Sequence, residues 1–166
     1  EECVEVVRIS SRAQFTVRFP LPALTLWLPD PRLNFIASVE SMHSTLESDE
    51  GCPMMSISVG RNHVGWLQKS QNNVFGNIVS VGRAVTNDLS LPVDTISKIH
   101  AVFTQIGNDW RVGDRGATNG LFVNDKQLDH GQIVGLKDGD NIRLGREVEA
   151  TFHSPDGLYD FLRMLT

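Results

Sequence analysis

From Met54 to His153 the chain is a succession of short apolar segments cut by turn-forming residues, and that punctuation leaves few folds open. Seven segments have the length and make-up of strands: Met54–Val59, Asn77–Val81, His100–Ile106, Trp110–Gly113, Leu121–Val123, Asn141–Leu144 and Val148–His153. Two of the breaks between them are readable as tight turns, Asn124-Asp125 after Val123 and Asp138-Gly139 before the last strands. Strands this short, at this spacing, predict an all-β sandwich of mainly antiparallel strands.

The two ends of the chain depart from that pattern. Ser154-Pro155-Asp156 opens a C-terminal helix, because serine caps, proline suits the first turn and aspartate complements the positive helix terminus. Leu158, Phe161, Leu162 and Leu165 form one apolar stripe on it, expected to pack on the sandwich. In Gln14–Phe19, Phe15, Val17 and Phe19 alternate with polar residues, the period of a half-buried strand. Leucine-rich Pro20–Leu28, with Trp27, reads as buried strand or loop. Asp30 before Pro31 starts a helix over roughly 31–47, carried by Phe35, Val39, Met42 and Leu46. The cluster Glu47–Pro53 is the best candidate boundary, separating an N-terminal strand/helix extension or accessory segment, 1–52, from a sandwich with its C-terminal helix, 53–166.

Charge and special residues narrow the function. A formal charge of −5 disfavours a broad nucleic-acid-binding surface, and no run approaches the roughly 18 apolar residues that span a bilayer. Cys3 and Cys52 fit neither a metal-ligand spacing nor a disulfide framework, which favours reduced thiols in a cytoplasmic protein. His43, His63, His130 and His153 lack metal-ligand spacing, and neither cofactor nor catalytic triad is suggested. Asp109, Asp114 and Asp125 sit at turn-like positions and need no acid/base role, so no enzyme is expected. Without an initiator methionine or a basic-then-apolar leader at Glu1, the chain reads as a trimmed segment or one end of a larger protein.

Four short signals occur in order: Gly82-Arg83, Ser97-Lys98-Ile99-His100, Thr118-Asn119-Gly120 and the glycine- and aspartate-rich run Leu136–Gly145. With their spacing, and with Asn87-Asp88-Leu89-Ser90-Leu91-Pro92 after the Gly-Arg pair, they resemble the forkhead-associated (FHA) family in its bacterial form over about residues 55–153. The resemblance implies a non-catalytic β-sandwich whose loops bind a phosphothreonine-bearing protein, downstream of a Ser/Thr kinase in signalling or assembly.

The residue types suit such a ligand. A phosphothreonine brings about −1.5 to −2 charges and three acceptor oxygens, so its site needs a fixed cation and directed donors. Arg83 can offer a planar fork of N–H groups, Ser97 a hydroxyl and a backbone N–H, and Lys98 a mobile point charge. Asn119, donor and acceptor on one short side chain, can pair with the main chain of an extended peptide. Gly120 permits the turn that aims Asn119 outward. Taken singly, Arg83 is a solvated loop arginine, Ser97 a turn residue and Asn119-Gly120 a plain hairpin turn. By resemblance, Thr118 helps fix the phosphothreonine, Thr95 belongs to the surface that selects a residue beyond it, and His100 is a buried structural histidine that holds the loops. The chain departs from the family at Lys98 for the common arginine, Ala117 for serine and Leu121 for threonine. The alternative is a phosphate-independent protein-protein scaffold built on the same fold.

Overall fold

The computed structural model describes residues 7–28, 54–59, 62–70 and 73–165. The helix expected over 31–47, the boundary cluster at Cys52 and both cysteines lie outside the described residues.

Twelve described strands form two sheets. The larger takes the order β2-β3-β1-β12-β11-β8-β9, from Met54–Val59, Asn62–Trp66, Ala23–Trp27, Val148–His153, Asn141–Leu144, Leu121–Val123 and Lys126–Gln127. The smaller runs β10-β7-β6-β4-β5, from Ile133–Leu136, Asp109–Asp114, Ala101–Ile106, Ile78–Gly82 and Leu89–Ser90. Every strand pair is antiparallel except β4 with β5. This is the all-β sandwich that the punctuation of the sequence implies.

Alternation along the strands builds the core. Val79 and Val81 on β4, Ala101 and Phe103 on β6, Leu24 and Leu26 on β1, and Ile142 and Leu144 on β11 join one buried cluster between the sheets. Each large side chain so buried contributes about 1.5–3 kcal/mol of apolar transfer free energy. The segment whose sequence reads as strand or loop is strand β1, which lies between β3 and β12 and pairs with both along its whole length. The larger sheet therefore takes strands from both sides of Cys52.

The strand expected over Gln14–Phe19 is instead helix α1, Arg12–Arg18. Ser11 caps it in a capping box: its hydroxyl accepts from Gln14 N, and Gln14 Oε1 accepts from Ser11 N at 2.9 Å. Phe15 and Phe19 are then four residues apart on one helical face rather than on one strand face, while Val17 is 82% exposed. Their rings lie 4.9 Å apart, and Phe19 stacks on Trp66 of β3.

Helix α2, Pro155–Met164, begins at Ser154 as its sequence predicts. Asp138 fixes that start, its carboxylate accepting from Ser154 N at 3.0 Å and Ser154 Oγ at 2.8 Å. Leu158 and Leu162 pack with Phe15, Ala23, Val64 and Trp66 in a second buried cluster, on the face of the larger sheet away from the main core. Among the described residues no helix is long and apolar enough to cross a membrane.

Candidate functional site

The candidate residues collect where strands of both sheets end. Register places Val81, Ala101 and Asp114 abreast in one sheet and Leu121, Leu144 and Val148 abreast in the other. The segments that continue from these positions carry Arg83, Ser97, Lys98, Thr118, Asn119 and Gly145.

Main-chain bonds join the first two loops. Arg83 N donates to Ser97 O at 2.9 Å, Ala84 N to Lys98 O at 3.1 Å, and His100 N to Val81 O at 2.9 Å. Gly82 stands where these backbones meet; a Cβ there would lie 2.4 Å from Lys98 O and 2.9 Å from Ile99 Cα. Its φ is not in the left-handed region, so close approach rather than conformation requires glycine. Asn87 adds a side-chain clasp, Nδ2 donating to Ala84 O at 2.8 Å and Lys98 O at 2.6 Å.

Arg83 is exposed, and its Nε donates to Ile96 O at 3.2 Å. That bond orients the guanidinium, and its two terminal nitrogens have no intramolecular partner among the described residues. Ser97 Oγ accepts from Thr118 N at 3.0 Å and donates to Thr118 Oγ1 at 3.4 Å, joining the second loop to the third. Asn119 Nδ2 donates to Thr95 O at 2.8 Å, and Thr95 Oγ1 donates to Glu147 Oε2 at 3.0 Å. The other amide proton and the carbonyl oxygen of Asn119 have no intramolecular partner among the described residues. The structure therefore brings Arg83, Ser97, Thr118, Asn119 and Thr95 into one bonded group, with Lys98 exposed beside Ser97.

His100 sits beneath, fully buried, bridging the two sheets. Its Nδ1 accepts from Ser97 N at 3.2 Å, which leaves Nε2 protonated and donating to Gly120 O at 2.9 Å. Burial pushes its pKa below the ordinary histidine value, against the opposing pull of the Gly120 carbonyl and the Asp114 charge. Both ring nitrogens are thus occupied in a neutral ring, which has neither a free lone pair nor solvent access for proton transfer. Gly120, with φ +78°, makes the turn after Asn119, and its carbonyl also accepts from Gly145 N at 2.9 Å.

Several residues that hold the loops were not singled out by role in the sequence. Asp114 is buried and accepts from Gly116 N and Ala117 N, fixing the approach to Thr118. Asp88 is 1% exposed and accepts from Ser70 N, Asn73 Nδ2, Ser80 N and Ser80 Oγ. Burial would raise its pKa, but hydrogen bonds from Ser80 and Ser70 outweigh that and hold it below the ordinary value. Asn87 and Asp88 were visible only as part of a family-like stretch, and Glu147 gave no signal at all. Among the described residues no three His, Cys, Asp or Glu side chains are grouped to hold a metal.

Residues 79–145 match the FHA domain family. Over 71 residues the chain is 35% identical to an FHA domain-containing protein of Arabidopsis thaliana, covering 42% of this chain and 18% of that protein. It is likewise 35% identical over 69 residues to the glycogen accumulation regulator GarA of Mycobacterium tuberculosis, covering 42% of this chain and 41% of GarA. The match thus spans less than half the length of these relatives. Among solved structures, the fold is similar to the FHA domain of an Arabidopsis thaliana hypothetical protein, with TM-score 0.51 and 22% identity over 81% of this chain and 86% of that one. It is also similar to the MEK1 FHA domain, with TM-score 0.50 and 19% identity over 86% and 96% of the two chains.

Proposed function

We propose that this protein, whose residues 79–145 match the FHA domain family, is a phosphothreonine-dependent binding module of bacterial type. It acts at equilibrium, making and breaking no covalent bond. The terminal guanidinium nitrogens of Arg83 and the Ser97 hydroxyl meet the phosphate oxygens, Lys98 adds charge, and Thr118 helps fix the phosphothreonine. Asn119 pairs with the peptide main chain and Thr95 contributes to selecting a residue beyond the phosphothreonine. Gly82, His100 and Gly120 hold the loops. A small recess for the threonine methyl group would set phosphothreonine above phosphoserine.

The observation that carries this reading is the state of Arg83. Its Nε is tied to Ile96 O, while the rest of the fork has no partner among the described residues and is exposed beside Ser97. A cation fixed at one end and open at the other suits bidentate capture of an oxyanion, and charge-assisted bonds of that kind are worth about 1.5–3 kcal/mol each. The module would follow a Ser/Thr kinase in a bacterial signalling or assembly system, in the cytoplasm. The sheet edge and helices would then be scaffold.

Calorimetric titration with a phosphothreonine peptide and its unmodified twin tests the reading. Wild type is expected to prefer the phosphorylated form and Arg83→Ala to lose that preference. Preference retained in the variant would overturn the assigned pocket, and partner binding that survives both phosphatase treatment and Arg83→Ala would point to the scaffold reading instead.

A further inference from the structure

A cavity of about 320 Å³ lies on the outer face of the smaller sheet, walled by Val74, Phe75, Ile78, Ile99, Val102 and Arg115. It shares no lining residue with the group around Arg83, Ser97, Thr95 and Asn119. Its apolar walls are open to solvent: Val74 is 84% exposed, Phe75 67% and Ile99 50%. Alternation explains the floor, since Val79, Val81, Ala101 and Phe103 turn into the core and leave Ile78, Ser80 and Val102 facing outward. The walls at Val74 and Phe75 belong to the loop before β4 and need no exposure to complete the fold. Clustered apolar exposure of this kind is open to an apolar group of a partner.

We propose that this groove receives a bulky apolar side chain of the same phosphothreonine-bearing segment, flanking the phosphothreonine on the side away from Thr95. The inference rests on the phosphothreonine reading and extends it to the partner's sequence. Continuity supports it: Ile99 of the groove is two residues from Ser97, in the loop that Asn87 and the Arg83 and Ala84 main chain hold in place. An extended segment advances about 3.3 Å per residue, so a partner anchored at Ser97 reaches Ile99 within two or three residues. Charge points the same way. Exposed Lys98 and Arg115 flank Ile99, and no acidic side chain lines the groove among the described residues. An already anionic segment is the matching partner, and acidic residues beside the apolar one would strengthen it.

The test uses the full chain and phosphothreonine peptides in which leucine or phenylalanine is walked through the flanking positions of an otherwise serine- and alanine-rich sequence. Each is titrated alongside its unphosphorylated twin, against wild type, Phe75→Ser and Val74→Ser. Because both side chains are mostly exposed, folding should survive. At one or two neighbouring positions the apolar residue is expected to raise wild-type affinity roughly ten-fold, and Phe75→Ser to remove that gain while leaving the serine-flanked phosphopeptide within about two-fold. No gain at any position, or a gain that Phe75→Ser and Val74→Ser leave intact, overturns the groove while the phosphothreonine reading stands. Failure of every phosphopeptide to outbind its unmodified twin defeats the phosphothreonine reading itself. Sedimentation of the same samples adds a last outcome: a dimer abolished by Phe75→Ser would assign the groove to a second copy and overturn the proposal.

Discussion

Gly82→Ala is the substitution whose outcome the geometry determines most sharply. At a position outside the left-handed region, glycine to alanine ordinarily stabilises by about 0.4–1 kcal/mol through the unfolded chain. Here the new methyl would stand 2.4 Å from Lys98 O and 2.9 Å from Lys98 C, both main-chain atoms that no rotamer change can clear. Relieving the contact takes at least about 0.6 Å of separation between the end of β4 and the loop at 97–99. That movement stretches Arg83 N to Ser97 O, now 2.9 Å, and Ala84 N to Lys98 O, now 3.1 Å, to or past the limit of a hydrogen bond. Two such bonds at about 0.5–1.5 kcal/mol each give a loss of about 1–3 kcal/mol, the usual range for overpacking, and a drop in Tm of roughly 3–10 °C. Phosphopeptide affinity should fall by ten-fold or more, because Ser97 and Lys98 move away from Arg83. Gly135→Ala is the control: nothing stands within 4 Å of its added Cβ, and Tm should hold or rise slightly. Thermal denaturation and calorimetric titration of both variants decide the matter. A Gly82→Ala protein that melts at or above wild type and keeps its affinity would refute the close-approach argument.

Three further outcomes follow from buried polar groups and from topology. His63, His100 and His153 are all held below the ordinary value of 6.5 by burial, so the unfolded chain binds protons that the native one does not. Their contribution is present above about pH 6.5 and lost as pH falls through the depressed native values, so urea midpoints should be level from pH 7 to 8 and decline below 6.5. Asp88→Asn puts an amide against four donors at a buried site and should cost about 2–4 kcal/mol, measurable as a lower urea midpoint; a change under 0.5 kcal/mol would show that the cluster around Ser80 is not holding the loop. A fragment beginning at Pro53 loses β1 from between β3 and β12, together with buried Leu24 and Leu26, and should show neither a cooperative melt nor dispersed amide resonances.

What the sequence disclosed depended on how many interpretations each pattern allowed. Asn141–Leu144 and Val148–His153 could be read with their bounds intact because turn residues flank them and one face of each is apolar. Phe15, Val17 and Phe19 were ambiguous, since residues two apart and residues four apart are both apolar there; the capping pair Ser11 and Gln14 decides for helix, and it is a signal present in the sequence. β1 has buried residues on both faces because it packs on the core with Leu24 and Leu26 and on the helices with Ala23, so it lacks the alternation that would have declared it. β10 exposes Ile133 and includes Gly135, and it merges into the glycine-rich run around it. In the site, ordered short motifs pointed to Arg83, Ser97, His100 and Asn119, which the fold gathers at one end. The bond from Thr95 to Glu147, and the reason for glycine at 82, depend on which backbones cross in space, and no local pattern encodes that.

Beside their side-chain bonds, the loops that gather at that end are laced through peptide groups: Arg83 N to Ser97 O, Ala84 N to Lys98 O, His100 N to Val81 O and Gly145 N to Gly120 O. Peptide groups are common to all residues, so side chains at 98 and 99 can be exchanged without breaking these bonds. Surface substitutions at 98 and 99 can therefore change what these loops present while the four main-chain bonds stay in place.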